Sequence, residues 1–236
     1  MRNEPPDLLV LIDFPEFNLR LAKIAKQNGV RVFYYISPQV WAWRKRRVHT
    51  IAERVDQLAV VFPFEQAFYA AHDCPAEFVG HPLVDRVQPT RSRAETLQRY
   101  QLDPLRQTIA LLPGSRSQEL RYLLDPLLGA ATELGKTYQF ILPVASILNR
   151  AEVEKNLSKD RLGPSDISAP AAIRVVQDDT YNVIHAADLA IVASGTATLE
   201  TALLERPMVI VYRVAPLTYM LARLFVDVPF FGMPNL

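Results

Sequence analysis

Three apolar runs in this chain each lead into residues able to do chemistry. Leu8 to Ile12 delivers Asp13 to a strand end, half desolvated, where a carboxylate would be useful as a general base. Capping of the following helix by Asp13, Glu16 or Asn18 is the alternative. Ile109 to Leu112 runs into Pro113-Gly114-Ser115-Arg116, with Ser117, Gln118 and Glu119 opening a helix. Gly114 lets backbone approach a ligand, Ser115 offers a hydroxyl, the helix start offers N–H groups, and Arg116 adds a forked cation. That set suits a diphosphate, although Gly-Ser-Arg also occurs in ordinary turns. Leu189 to Val192 leads into Ala193-Ser194-Gly195-Thr196-Ala197-Thr198-Leu199-Glu200, a second backbone cradle at a second helix start. Glu200, about one turn inside that helix, is placed to reach ribose hydroxyls. Its alternative role is a favourable interaction with the helix dipole.

A fourth segment, Ser37-Pro38-Gln39-Val40-Trp41-Ala42-Trp43-Arg44-Lys45-Arg46-Arg47, sets two indoles beside four cations. It could stack on bases, hold a sugar phosphate or touch lipid headgroups. Equally, it reads as a core tryptophan pair leading into a solvated basic helix. His81, between Gly80 and Pro82, is a candidate cleft residue or a structural histidine. No His-Glu-x-x-His, Gly-x-Ser-x-Gly, Walker or Gly-x-Gly-x-x-Gly motif occurs, and Asp-x-Asp is absent. A transferase without metal or other cofactor is favoured.

These residues need a wound parallel sheet to present them. Short β-rich runs alternate with segments of helical period, the signature of an α/β fold. Leu8 to Ile12, Val30 to Ile36, Leu58 to Phe62 and Glu77 to Val79 read as strands. Helices are expected over Phe17 to Gln27, closed by Asn28 and Gly29, over Arg44 to Arg54, and over Phe64 to His72. The pattern lapses from Gly80 to about Arg93 in a proline-bearing connection, which divides the chain into domains at 1–88 and 89–236. The second series predicts strands over Thr108 to Leu112, Gln139 to Leu142, Ile173 to Val176, Leu189 to Val192 and Met208 to Tyr212. Pro126 should kink or split the long helix after Gln118.

Of the 236 residues, 50% are apolar, enough for a real core, and the net charge of +1 offers no field for nucleic acid. One cysteine, Cys74, excludes an internal disulfide and suits a reducing, cytoplasmic compartment. No signal-peptide layout and no bilayer-length apolar run is present. The richest apolar stretch, Leu217 to Phe231, is broken by Arg223, Asp227 and Pro229. It reads as a buried helix and strand, or as an interfacial surface.

Five motifs in order, Ile12-Asp13-Phe14-Pro15-Glu16-Phe17-Asn18, Ser37 through Arg44, Phe78-Val79-Gly80-His81-Pro82-Leu83, Leu111 through Arg116 and Ala193 through Glu200, resemble those of the lipid-A-disaccharide synthases. The resemblance implies a GT-B fold, two Rossmann-like doubly wound domains facing a cleft, the first of them incomplete. It implies transfer of 2,3-diacylglucosamine from UDP to 2,3-diacylglucosamine 1-phosphate, with inversion, on the cytoplasmic face of the inner membrane. Asp13 would be the base and Arg116 the stabiliser of departing UDP. Gly114, Ser115, Ser194, Gly195 and Thr196 would supply the cradle, Glu200 the ribose contact, and Trp43, Arg44 and His81 acceptor or cleft contacts. The resemblance also implies a chain truncated at both ends, since family members carry a Gly-Glu-Ala-Ser-Gly-Asp segment before these motifs and an Ala-Gly-Arg-Glu stretch after them. The other readings are another UDP-N-acetylglucosamine enzyme of GT-B type, or a fragment needing its missing ends. A homodimer is left open.

Overall fold

The alternation of apolar runs and helical segments produces two all-parallel sheets. The computed structural model describes residues 4–42, 45–145 and 173–213. Trp43, Arg44 and the stretch Leu217 to Phe231 lie outside the described residues. Within them the chain divides into two units, the first ending at Val84 and the second starting at Asp85.

In the first unit β1 (Leu8–Ile12), β2 (Arg31–Tyr35), β3 (Gln57–Val60) and β4 (Ala76–Phe78) pair in chain order. Their crossovers contain α1 (Pro15–Gln27), α2 (Arg47–Arg54) and α3 (Pro63–Ala70). Helix α1 starts two residues before the apolar spacing predicts, because Pro15 has the fixed φ suited to a first helical turn. It stops where expected. Gly29, at φ +71°, donates its N–H to the Lys26 carbonyl, a left-handed cap. Leu19, Ala22 and Ala25 bury the inner face of α1 against Leu11, Val32 and Tyr34. Each large apolar side chain sealed in such a core contributes roughly 1.5–3 kcal/mol. Strand β3 ends at Val60 rather than Phe62, because the amides of Val61 and Phe62 turn to the Glu65 carboxylate instead of a neighbouring strand.

In the second unit the short helices α4 (Leu83–Arg86), which begins in the first unit, and α5 (Arg93–Arg99) precede a five-stranded sheet. The strands are β5 (Thr108–Leu112), β6 (Gln139–Val144), β7 (Ile173–Gln177), β8 (Leu189–Ala193) and β9 (Met208–Val211), in the order β7-β6-β5-β8-β9. Every residue of β5 and β6 is buried, as a sheet covered on both faces requires. Helix α5, for which the sequence reading gave no bounds, is fixed by a Ser92/Glu95 capping box. It is tied to α7 (Thr180–Ala186): Asn182 Oδ1 accepts from the Thr90 and Arg91 amides, both at 2.9 Å.

Helix α6 (Ser117–Leu134) runs through Pro126 without splitting, so of the two effects expected of that proline the break does not occur. Leu123, Leu124, Leu127, Leu128 and Ala131 lie on both sides of that proline and share one core with Ile109, Leu111, Phe140 and Leu142. Their burial outweighs the hydrogen bond that proline removes. Helix α8 (Thr196–Leu203) links β8 to β9. No described helix is long and apolar enough to cross a membrane.

Candidate active site

The chain builds β5, β6 and β7 outward in one direction, then returns to place β8 on the opposite side of β5. The reversal opens a crevice at the carboxyl ends of β5 and β8, where open α/β sheets take ligands. The Gly114-Ser115-Arg116 turn follows β5 and the Ser194-Gly195-Thr196 turn follows β8. Both turns and Glu200 line a single cavity of about 440 Å³. The two cradles that the sequence offered separately are therefore one site.

Each side of the site is shaped by a glycine. Gly114 has φ +109°, and a Cβ there would lie 2.7 Å from the Glu119 Cβ, so no larger residue fits without a shift. Gly195 has φ +155°, a backbone conformation that side chains disfavour. Its carbonyl accepts from the Thr198 N–H at 3.1 Å and hydroxyl at 2.7 Å, which ties down the first turn of α8. The Ser194 amide donates to the Val211 carbonyl of β9 at 2.9 Å, so this N–H is already engaged by the neighbouring strand.

Glu119 also lines the cavity, and the sequence reading assigned it no role in the site. Its Oε2 accepts from the Ser115 amide at 3.0 Å and the Arg116 amide at 3.3 Å, while its Oε1 lies 3.5 Å from the Arg116 guanidinium. The Ser115 and Arg116 amides, which lie just before the first turn of α6, are thus held by Glu119. The spacing Arg116-x-x-Glu119 was the available signal, because a glutamate three residues into a helix commonly folds back onto its start. The Arg116 side chain is 81% exposed.

Glu200 is half-buried, and burial pushes its carboxyl above the ordinary range, partly opposed by a 3.2 Å hydrogen bond from the Tyr181 hydroxyl. A second cavity of about 450 Å³, lined by Thr90, Asp178, Asp179 and Asn182, shares Thr180 and Glu200 with the first. Glu200 therefore stands where the two spaces meet. Asp179 is tied to the Arg91 guanidinium, the Tyr100 hydroxyl and the Asn182 amide. Burial lifts its pKa, but those hydrogen bonds hold it below the usual carboxylate range.

In the first unit, Asp13 sits at the carboxyl end of β1 in a left-handed conformation, φ +44°, followed by Phe14 at φ +43°. Its side chain is exposed, not half desolvated as expected. The residue at the capping position of α1 is Phe14, whose side chain makes no capping bond. Asn18 instead donates to the Ile12 and Asp13 carbonyls. Tyr34 donates to the Asp13 carbonyl at 2.7 Å, and burial, the largest of several influences, pushes its phenol up to about 12.

The tryptophan segment is anchored by Glu65, which is 1% exposed. Its carboxylate accepts from the Ser37 hydroxyl at 3.2 Å, Trp41 Nε1 at 3.1 Å and the Val61 and Phe62 amides at 3.1 and 2.9 Å. Trp41 meets the Phe64 ring edge-on at 5.0 Å, and Arg47 pairs with Glu16 at 2.5 Å. His81 packs against Phe62, and its Nδ1 accepts from the Leu83 amide at 3.1 Å. Burial lowers its pKa, keeping the ring in the neutral form that this contact needs.

Residues 1–236 match the family described as lipid-A-disaccharide synthetase. The chain belongs to that family. It is 47% identical over 237 residues to a lipid-A-disaccharide synthase of Geobacter sulfurreducens, covering 99% of this chain and 59% of that protein. With a Coxiella burnetii lipid-A-disaccharide synthase it shares 44% over 239 residues, 100% of this chain and 60% of the relative. This synthase-family chain thus spans about three-fifths of the length of the curated relatives it matches. Among solved structures, a Neisseria meningitidis UDP-GlcNAc 2-epimerase bound to UDP-GlcNAc has TM-score 0.58 at 11% identity, over 99% of this chain and 67% of its own. An Anabaena protein in complex with UDP-glucose has TM-score 0.52 at 13% identity, over 86% of this chain and 59% of its own. At such identities the likeness is one of fold, and the fold of this synthase-family chain is of GT-B type, two Rossmann-like parallel-sheet domains in succession.

Proposed function

We propose that the chain carries the donor and acceptor residues of an inverting glycosyl transfer, in which 2,3-diacylglucosamine passes from UDP to 2,3-diacylglucosamine 1-phosphate. The observation that carries this reading is the meeting of Gly114, Ser115, Arg116, Ser194, Gly195, Thr196 and Glu200 in one cavity at the reversal point of the second sheet. Two helix starts and a cation converge there, which suits a diphosphate, and a half-buried acid lies one turn away for ribose hydroxyls.

In this reading residues 89–236 hold the donor and residues 1–88 the acceptor. Asp13 takes the proton of the acceptor 6-hydroxyl as that oxygen bonds to the anomeric carbon. The bond from that carbon to the β-phosphate oxygen breaks, and UDP departs with the electron pair, inverting the centre. Arg116 and the cradle amides stabilise the charge that develops on the leaving group. Trp43, Arg44 and His81 line the acceptor side. An acylated acceptor puts the reaction at a membrane surface, so we place the chain as a peripheral protein on the cytoplasmic face of the inner membrane.

Calorimetric titration of the chain with UDP tests the site. Saturable binding is expected, weakened about 10- to 100-fold in Arg116→Ala by loss of a charge-assisted hydrogen bond. Unaltered affinity in that variant would remove Arg116 from the site. Product formation from the two acylated sugars, reduced about 10²- to 10⁴-fold in Asp13→Asn, tests the base.

A further inference from the structure

Glu119 has the wrong sign for a pocket that takes a diphosphate, yet it holds the backbone amides of two residues that line that pocket. Its side chain is 34% exposed, so it is neither buried for packing nor swept away by solvent. Gly114 has no side chain and φ +109°, so the Glu119 side chain can lie close over the turn. A carboxylate seated on the two amides that lead into a helix start makes the same kind of contact as a phosphate oxygen.

We propose that Glu119 is a built-in competitor for the diphosphate cradle: it holds the Ser115 and Arg116 amides and must leave them when the nucleotide binds. This rests on the nucleotide reading above. Release of Glu119 opposes binding, because its contacts to both amides and to Arg116 are given up and its charge stays near the incoming phosphates. The same groups re-form their contacts as UDP leaves, so the device lowers affinity for the product.

The consequence is unusual for a polar residue of a binding site, since removing its charge should tighten binding. Glu119→Gln keeps the length of the side chain and an oxygen able to cap the turn, while Glu119→Ala removes both charge and cap. Titration of the chain and both variants with UDP, and with uridine as a probe lacking phosphate, tests the idea. UDP affinity should rise about two- to fivefold in each variant, the range set by a carboxylate at a helix start, with uridine affinity unchanged. UDP affinity that is equal or weaker in Glu119→Gln overturns the proposal and makes Glu119 a positioning group. A gain shared equally by uridine overturns it too. If the unaltered chain binds UDP saturably, those results leave the nucleotide reading standing. Absence of UDP binding in the chain and both variants overturns both.

Discussion

The Asn18 side-chain amide donates to the Asp13 carbonyl at 2.6 Å and to the Ile12 carbonyl at 3.0 Å. The proposed base thus owes its position to a residue five places along the chain. Two consecutive non-glycine residues at positive φ, Asp13 and Phe14, cost roughly 1–2 kcal/mol each and persist only if the surroundings hold them. Asn18 and the Tyr34 hydroxyl are those surroundings. Asn18→Ala should lower the free energy of unfolding by about 1–3 kcal/mol, read from urea denaturation. A loss below a few tenths would mean that the turn is held by something else.

Glu65 plays the corresponding part for the tryptophan segment. With four donors on one buried carboxylate, hydrogen bonds offset the cost of burying it. Glu65→Ala leaves the Val61 and Phe62 amides, the Ser37 hydroxyl and the Trp41 indole without that acceptor, and should cost roughly 3 kcal/mol or more. Trp41 is half-buried beside Phe64, so its fluorescence should shift to the red in the same variant. An unchanged emission spectrum would show that the loop does not depend on Glu65.

How far the site was legible follows from what each residue depends on. The two cradles could be read because each combines an uninterrupted apolar strand with small residues and a helix start, all local signals. Their meeting in one cavity depends on strand order, which no local pattern encodes. The exposure of Asp13 was missed because it follows from positive φ at residues that are not glycine, held by Asn18 and Tyr34 from other elements. Whether α6 would bend or break at Pro126 was not legible for a related reason, since a proline's local preference yields to an apolar face buried on both sides of it.

Glu200 carries a pH dependence of definite sign. Burial raises its carboxyl above the ordinary value of 4.5, so ionising it disfavours the folded chain. Its contribution to stability is complete below the unfolded value and is lost as pH rises through the folded one. Glu200→Gln keeps an acceptor for the Tyr181 hydroxyl and removes the charge. The variant should therefore melt at a higher temperature than the parent at pH 7, and the gap should close below pH 4.5. In the proposed site the same change weakens UDP binding through the lost ribose contact, so stability and affinity should move in opposite directions.

Gly114 and Gly80 allow the crowding by Glu119 to be measured. Both have positive φ, +109° and +82°, so alanine at either is strained by about 1 kcal/mol or more. Only at Gly114 would the new Cβ meet another side chain, whereas nothing lies within 4 Å of one at Gly80. Gly114→Ala should therefore destabilise more than Gly80→Ala in thermal unfolding. A second replacement, Glu119→Ala, removes the carboxylate oxygen that the new Cβ would meet but keeps the Glu119 Cβ at 2.7 Å, so it should recover part of the stability lost in Gly114→Ala and give none back when combined with Gly80→Ala. The coupling energy of the Gly114→Ala and Glu119→Ala cycle should fall in the range of about 0.5–3 kcal/mol typical of contacting pairs, and a coupling near zero would mean that the two residues do not touch.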